Sequence, residues 1–193
     1  MLDTHARKYV EPFFKEAAAI LVKIGLSANQ VTVLAFVAGT LSGPLFYAGH
    51  PVLAVIFLWL SGFLDAVDGS MARMTKTSPW GTLMDIIFDR IVEISVILGL
   101  AFRFPASQLP LLLLSCSIIL SMTVFLTVGA VSEKSGMKSF YYQAGLAERT
   151  EGFIFFSLMM LFTDFLTYIT LIFFGAIMFT VCQRISEAWR ILK

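Results

Sequence analysis

Charged side chains are scarce in this chain, at 14% of 193 residues, where a soluble domain carries about a quarter. That scarcity excludes an ordinary water-soluble globule and leaves an integral membrane protein. Cysteine and histidine are nearly absent, at two residues each. Cys116 and Cys182 lie in apolar stretches without ligand spacing, so neither a disulfide framework nor a thiolate metal site is expected. His5 and His50 stand at segment ends and read as solvated. The net charge of +1 comes with no basic run, which removes nucleic acid from the expected partners. No internal repeat is evident. Nor is a secretory signal, since the first apolar run carries charges and lacks a small-residue cleavage site.

What the chain has in abundance is apolar sequence, 58% of its residues, with mean hydropathy +0.85. Its length accommodates one bundle of about six spans at about 20 residues each. Residues 4–24 place Val10, Phe13, Phe14, Ala17, Ile20, Leu21 and Ile24 at helical spacing opposite Arg7, Lys8, Glu11, Lys15 and Glu16. This pattern predicts an amphipathic helix lying in the membrane interface. Gly25 ends it, and Ser27-Ala28-Asn29-Gln30 has the form of a capping box for the next helix. Spans are predicted at 29–48, 52–74, 79–102, 107–131, 149–164 and 166–186, with Ser78 and Pro79 as N-cap and first-turn proline of the third. The expected organisation is an interfacial helix at 1–26 followed by a six-helix transmembrane domain at 27–193. With that count, Arg7, Lys8, Lys15, Lys23, Arg73, Lys76, Lys134, Lys138, Arg149, Arg184, Arg190 and Lys193 share the side of both termini, and only Arg103 falls clearly opposite. The positive-inside rule then places both termini in the cytoplasm.

Four of the six aspartates, Asp65, Asp68, Asp85 and Asp89, fall within about 25 residues of otherwise membrane-buried sequence. A carboxylate at membrane depth costs several kcal/mol, so such residues are rare and functional by default. Asp65, Asp68, Gly69, Ala72 and Arg73 share one helical face, as do Gly81, Asp85 and Asp89 on the next helix. The short connection predicts antiparallel neighbours. At 1.5 Å per residue, Asp68 and Asp85 lie about 9 Å from the turn, and Asp65 and Asp89 about 14–15 Å. The expectation is two tiers of carboxylates between two helices, open to the cytoplasmic face. Oxygen ligands without histidine or thiolate suit magnesium or manganese. Gly69 and Gly81 leave room for a ligand to approach backbone, and Arg73 at the rim can pair with a phosphate. The plainer alternative is that these acids are solvated helix-end residues or structural ion-pair partners.

The run Asp65-x2-Asp68-Gly69-x2-Ala72-Arg73, then Gly81-x3-Asp85-x3-Asp89, resembles the signature of the CDP-alcohol phosphotransferase (CDP-alcohol phosphatidyltransferase) family, with all eight fixed positions present. Seven residues separate Arg73 from Gly81, where the usual spacing is eight. The opening Ser27-Ala-Asn29-Gln-Val-Thr32 and the stretch Gly145-Leu-Ala-Glu148-Arg149 are also similar to this family. The resemblance implies transfer of a phosphatidyl-type group from a CDP-linked lipid to an alcohol, small or lipid-borne, with release of CMP. It implies a two-metal site of Mg2+ or Mn2+ held by Asp65, Asp68, Asp85 and Asp89, with Asp89 also the catalytic base. Gly69, Ala72, Arg73 and Gly81 line the CDP site in this reading, with Asn29 and Thr32 as further contacts, though capping and packing explain those two equally well. A homodimer in a bacterial or archaeal cytoplasmic membrane is implied as well.

The segment from Glu133 to Arg149 is the longest polar stretch, and either an acceptor pocket or an ordinary cytoplasmic loop fits it. Family members that use a phosphorylated acceptor carry extra basic residues at the end of span four. The resemblance therefore implies that Thr127–Glu133, which has none, disfavours such an acceptor, while Lys134, Lys138, Arg149 and Arg184 remain available to hold one. Asp164 reads as a solvated loop acid, and Glu93 as an extension of the polar seam or a partner of Arg90. Two other classes compete with the transferase. A membrane prenyltransferase also uses aspartate-bound magnesium but needs two acidic motifs. A metal-ion transporter would show internal repeats and a midplane site.

Overall fold

The computed structural model describes residues 2–131, 146 and 148–192. Among them the chain forms α-helices and no strand: α1 (Leu2–Lys23), α2 (Ala28–Tyr47), α3 (Pro51–Met74), α4 (Pro79–Arg103), α5 (Gln108–Val131), α6 (Arg149–Leu161) and α7 (Leu166–Ile191). Single 3-10 turns at Pro105–Ser107 and Thr163–Phe165 precede α5 and α7. Among the described residues four segments are long and apolar enough to cross a membrane: Ala28–Tyr47, Pro51–Met74, Pro105–Val131 and Thr163–Ile191. The other two expected spans fall short of that condition for separate reasons. Helix α4 carries Asp85, Asp89, Arg90 and Glu93 in its interior, and α6 has 13 residues where a crossing needs about 20. The protein is an all-helical integral membrane protein.

The helix ends follow from local chemistry. Ser27 accepts a hydrogen bond from the Gln30 amide while the Gln30 side chain accepts one from the Ser27 amide at 2.9 Å, completing the capping box. Ser78 Oγ accepts from the Gly81 amide at 3.0 Å, with Pro79 opening α4. Helix α6 stops at Leu161, earlier than the expected 164, because Phe162 leaves helical geometry at φ −114° and ψ 63°. Helix α7 runs on past 186 to Ile191, since Ser186–Ile191 are helix formers beyond the apolar span.

The chain divides into two compact units, His5–Pro105 and Ala106–Lys193 with Met1–Thr4. In the first, α2 packs closely against both α3 and α4. Its small residues make this possible. A Cβ added to Gly43 would stand 2.0 Å from the Ser95 carbonyl oxygen on α4, and one added to Gly39 would stand 2.5 Å from Ser61 Oγ on α3. Interhelical hydrogen bonds reinforce both seams: Ser42 Oγ donates to the Ala54 carbonyl at 2.9 Å and Ser95 Oγ to the Thr40 carbonyl at 2.7 Å. Helices α3 and α4 form no comparable seam. The expected neighbours are joined mainly through α2, and their acidic side chains approach one another.

Helix α1 is amphipathic as expected, but its apolar side is divided. Phe14, Ala17, Ala18 and Leu21 pack against Val31 on α2 and Val67 and Met71 on α3. Phe13, Ile20 and Ile24 remain more than half exposed. The buried part braces the stretch of α3 that carries Asp68.

In the second unit α7 packs against α5 and α6. Thr167 and Ser107 hydroxyls meet at 3.0 Å, and Phe173 stacks on Phe155 with centroids 4.6 Å apart. Arg184 is buried, donates to Ser121 Oγ at 3.0 Å and lies over the Phe125 ring.

Candidate active site

The α3 register sends Asp65 and Asp68 to one face, three residues apart, and α4 presents Asp85 toward them. One carboxylate oxygen from each of these three lies within 4.8 Å of the others. Asp68 is buried, while Asp65 and Asp85 are half-buried. Asp89 is half-buried one helical turn beyond Asp85 and stands outside this trio. The tiers counted along the axes therefore regroup as three converging acids and one set off by a turn. Axial counting fixes depth, but it does not fix how far side chains on two helices reach toward each other.

Three carboxylates so close repel one another by several kcal/mol per pair at an effective dielectric near 20. A divalent cation removes that repulsion, and an all-oxygen donor set is what hard cations such as magnesium and manganese prefer. The donor set thus fits such an ion. Asp65, Asp68 and Asp85 are the residues able to hold it.

Between α2, α3 and α4 lies a cleft of about 190 Å³. Every residue that the sequence assigned to the nucleotide lines it: Asn29 and Thr32 from α2, Gly69, Ala72 and Arg73 from α3, and Gly81 from α4. Asp68 and Asp85 form its acidic wall. Thr32 Oγ1 donates to the Ala28 carbonyl at 3.0 Å, so its hydroxyl also serves its own helix. A Cβ on Gly81 would come within 3.2 Å of Asn29 Oδ1 and 3.1 Å of Ser78 Oγ. Glycine there keeps the wall low and the Asn29 amide in place.

Further lining residues were not assigned to the site from sequence: Ala28, Lys76, Thr77, Ser78 and Thr82. Thr75 and Ser78 pin the ends of the α3–α4 connection, Thr75 Oγ1 by donating to the Met71 carbonyl at 2.8 Å and Ser78 by capping α4. The sequence marks Ser78 as a helix cap, and the turn that the cap fixes brings it to the cleft.

The other sequence candidates divide. Glu148 is buried before α6, and the Arg149 guanidinium lies over the Phe153 ring at 5.5 Å. Residues 132–145 and 147, which include Glu133, Lys134, Lys138 and Tyr141, lie outside the described residues. Arg90 pairs with Glu93 at 2.6 Å, which supports the ion-pair reading of Glu93. Asp164 falls in the 3-10 turn before α7.

Comparison with known proteins follows the same lines. An inner membrane protein of Escherichia coli, YnjF, is 28% identical over 201 residues, spanning all of this chain and 98% of its own length. The phosphatidylinositol phosphate synthase PgsA1 of Mycobacterium tuberculosis, solved with CDP-DAG bound, superposes with a TM-score of 0.71 at 25% identity, covering 91% of this chain and 93% of its own. A structure of the same synthase with manganese and citrate gives a TM-score of 0.70 at 24% identity, over 91% and 88% of the two chains. The sequence pattern of CDP-alcohol phosphatidyltransferases matches residues 26–185. With that match spanning most of its length, and six of the eight signature residues lining one cleft, the chain belongs to the CDP-alcohol phosphatidyltransferase family.

Proposed function

We propose that the cleft between α3 and α4 binds the CDP end of a CDP-diacylglycerol-like lipid and that Asp65, Asp68 and Asp85, with Asp89, hold its divalent ions. The reaction class follows from the family: a phosphatidyl-type group passes from a CDP-linked lipid to an alcohol and CMP is released. One observation carries the residue assignment. Two of the three converging carboxylates, Asp68 and Asp85, line the same cleft that gathers Asn29, Thr32, Gly69, Ala72, Arg73 and Gly81. The CDP-DAG and the manganese bound by the mycobacterial synthase support the same donor and ion class. The prenyltransferase and transporter readings are not favoured by this family membership.

Bound divalent ions supply charge neutralisation for the diphosphate and for the developing CMP leaving group. The chain's own residues do the rest. Gly69 and Gly81 let the diphosphate approach backbone, and Arg73 pairs with a phosphate oxygen. Asp89, one turn from the trio, takes the proton of the acceptor hydroxyl as that oxygen attacks the lipid-bearing phosphorus. The bond from that phosphorus to the bridging oxygen breaks, and CMP leaves. No covalent intermediate is required.

In this reading six helices span, preceded by the interfacial helix at 1–26, and both termini and the cleft face the cytoplasm. The lysine and arginine distribution supports that orientation. The acceptor is an alcohol arriving from the same side, inositol phosphate among the classes to test, and the protein acts as a homodimer. The test is CMP release by purified protein from CDP-diacylglycerol with magnesium or manganese, across serine, glycerol phosphate, inositol phosphate and a phospholipid acceptor. Metal-dependent release with one acceptor, abolished in Asp89→Asn, is expected. A folded, metal-binding protein that releases no CMP with any acceptor or CDP-lipid overturns the reading.

A further inference from the structure

Ser70 occupies a variable position of the signature, between Gly69 and Ala72, and it is 2% exposed. Its hydroxyl has one proton, and that proton goes to the Ala66 carbonyl one turn back, at 3.0 Å. The orientation is thereby fixed, and the lone pairs turn toward the end of the helix. Arg73 Nη2 donates into them at 2.9 Å. Among the described residues Ser70 is the hydrogen-bond partner of this guanidinium. Arg73 Nη1 then lies 3.5 Å from where a Cβ on Gly69 would stand, so the guanidinium is laid along the glycine surface at the edge of the cleft.

We infer that Ser70 is a positioning residue for donor binding, holding the Arg73 guanidinium across Gly69 before the diphosphate arrives. This rests on the functional reading above, in which Arg73 meets a donor phosphate. An unanchored arginine of this exposure samples many rotamers and must be ordered when the ligand binds. The Ser70 hydroxyl occupies one of five guanidinium donors and leaves the others for phosphate oxygens. The absent Cβ of Gly69 serves two ends at once: it admits the diphosphate to backbone and gives the guanidinium a flat bed. Ser70 itself touches no substrate in this arrangement and acts only through Arg73.

The test is a double-mutant cycle read by equilibrium binding of CDP-diacylglycerol to the purified full chain in detergent with manganese. Ser70→Ala removes the anchor. Ser70→Cys keeps the volume with a poor acceptor, and serves if the alanine variant does not fold. Either substitution is expected to weaken donor binding by about tenfold, as loss of one hydrogen bond to a charged group predicts. Manganese affinity and melting temperature should remain near those of the unsubstituted protein. The penalty is expected to vanish in the Arg73→Ala background, where there is nothing left to position. Unchanged donor affinity in both Ser70 variants, or a loss that adds in full to that of Arg73→Ala, overturns the assignment to Ser70 alone. No donor binding by the unsubstituted protein overturns the functional reading and this inference with it.

Discussion

Replacing Gly43 with alanine tests whether the α2–α4 seam sets the geometry of the site. The new Cβ would lie 2.0 Å from the Ser95 carbonyl oxygen, where ordinary contact begins at 3.4 Å, so α4 must retreat by about 1.4 Å. The obstacle is backbone on a regular helix and has no rotamer by which to yield. Gly99 faces the Gly43 carbonyl just as tightly, with its own absent Cβ 2.5 Å away, so sliding along the seam brings no relief. Overpacking of this kind costs about 1–3 kcal/mol, at the upper end when backbone must move. The Ser95–Thr40 hydrogen bond at 2.7 Å is pulled apart by the same shift, adding about 1 kcal/mol. Better helix propensity returns about 1 kcal/mol. The net loss is about 3 kcal/mol, or roughly 10 °C in melting temperature for a chain of this size. Thermal unfolding in detergent, followed through the three tryptophans, reads it directly. Gly175, with nothing within 4 Å of its absent Cβ, is the control, and Gly175→Ala should melt no lower than the parent. Because α4 carries Asp85, Gly43→Ala should also weaken manganese binding. A Gly43→Ala protein that melts like the parent refutes the close seam.

Gly81→Ala should leave stability unchanged or slightly raised, because its Cβ displaces only side-chain oxygens of Ser78 and Asn29 by a few tenths of an ångström; the donor KM should rise several-fold, measured by CMP release. Ser78→Ala removes the α4 cap and should cost about 1 kcal/mol, with Ser78→Asp restoring the melting temperature. Asp85→Asn removes one of three converging carboxylates, so the metal-free protein should melt no lower than the parent, while the stabilisation on adding manganese should fall sharply. Chelation of divalent ions should abolish CMP release, and either magnesium or manganese should restore it.

Much of this architecture is readable from sequence because apolar runs and helix punctuation coincide. The bounds predicted at 52–74 and 79–102 agree with the helices Pro51–Met74 and Pro79–Arg103, since Pro51, Ser78 and Pro79 mark their starts by chemistry that acts locally. The α7 end was misplaced by five residues because hydropathy marks where a membrane ends, and the helix does not stop there. The gathering of Asp65, Asp68 and Asp85 was legible from spacing alone. Their convergence as a trio, with Asp89 apart, was not, because periodicity assigns faces and leaves the distance between helices open. Ser70 was invisible for a related reason: a serine in a helix usually bonds back to its own carbonyls, and its second bond to Arg73 depends on a rotamer.

The first unit concentrates its tight contacts on α2, and this explains how a charged cleft can persist inside an apolar helix cluster. Two helices carrying three acids gain nothing by packing against each other, since each carboxylate would lose water and face another of its own sign. Gly39, Gly43 and Ser42 give α3 and α4 a close seat on α2 instead. Both flanking helices are thereby seated mainly on α2, and the space between them holds the cleft. Its walls are held at three points: Ser27 and Gln30 fix the start of α2, Ser78 fixes the start of α4, and α1 braces Val67 and Met71 on α3. The acids then meet a cation and a diphosphate in a site already spaced for them, so binding need not bear the cost of bringing like charges together. On this argument the small residues of α2, which touch no ligand, determine metal affinity as surely as the carboxylates do. Weakening the seam should therefore lower manganese affinity even where every aspartate is intact.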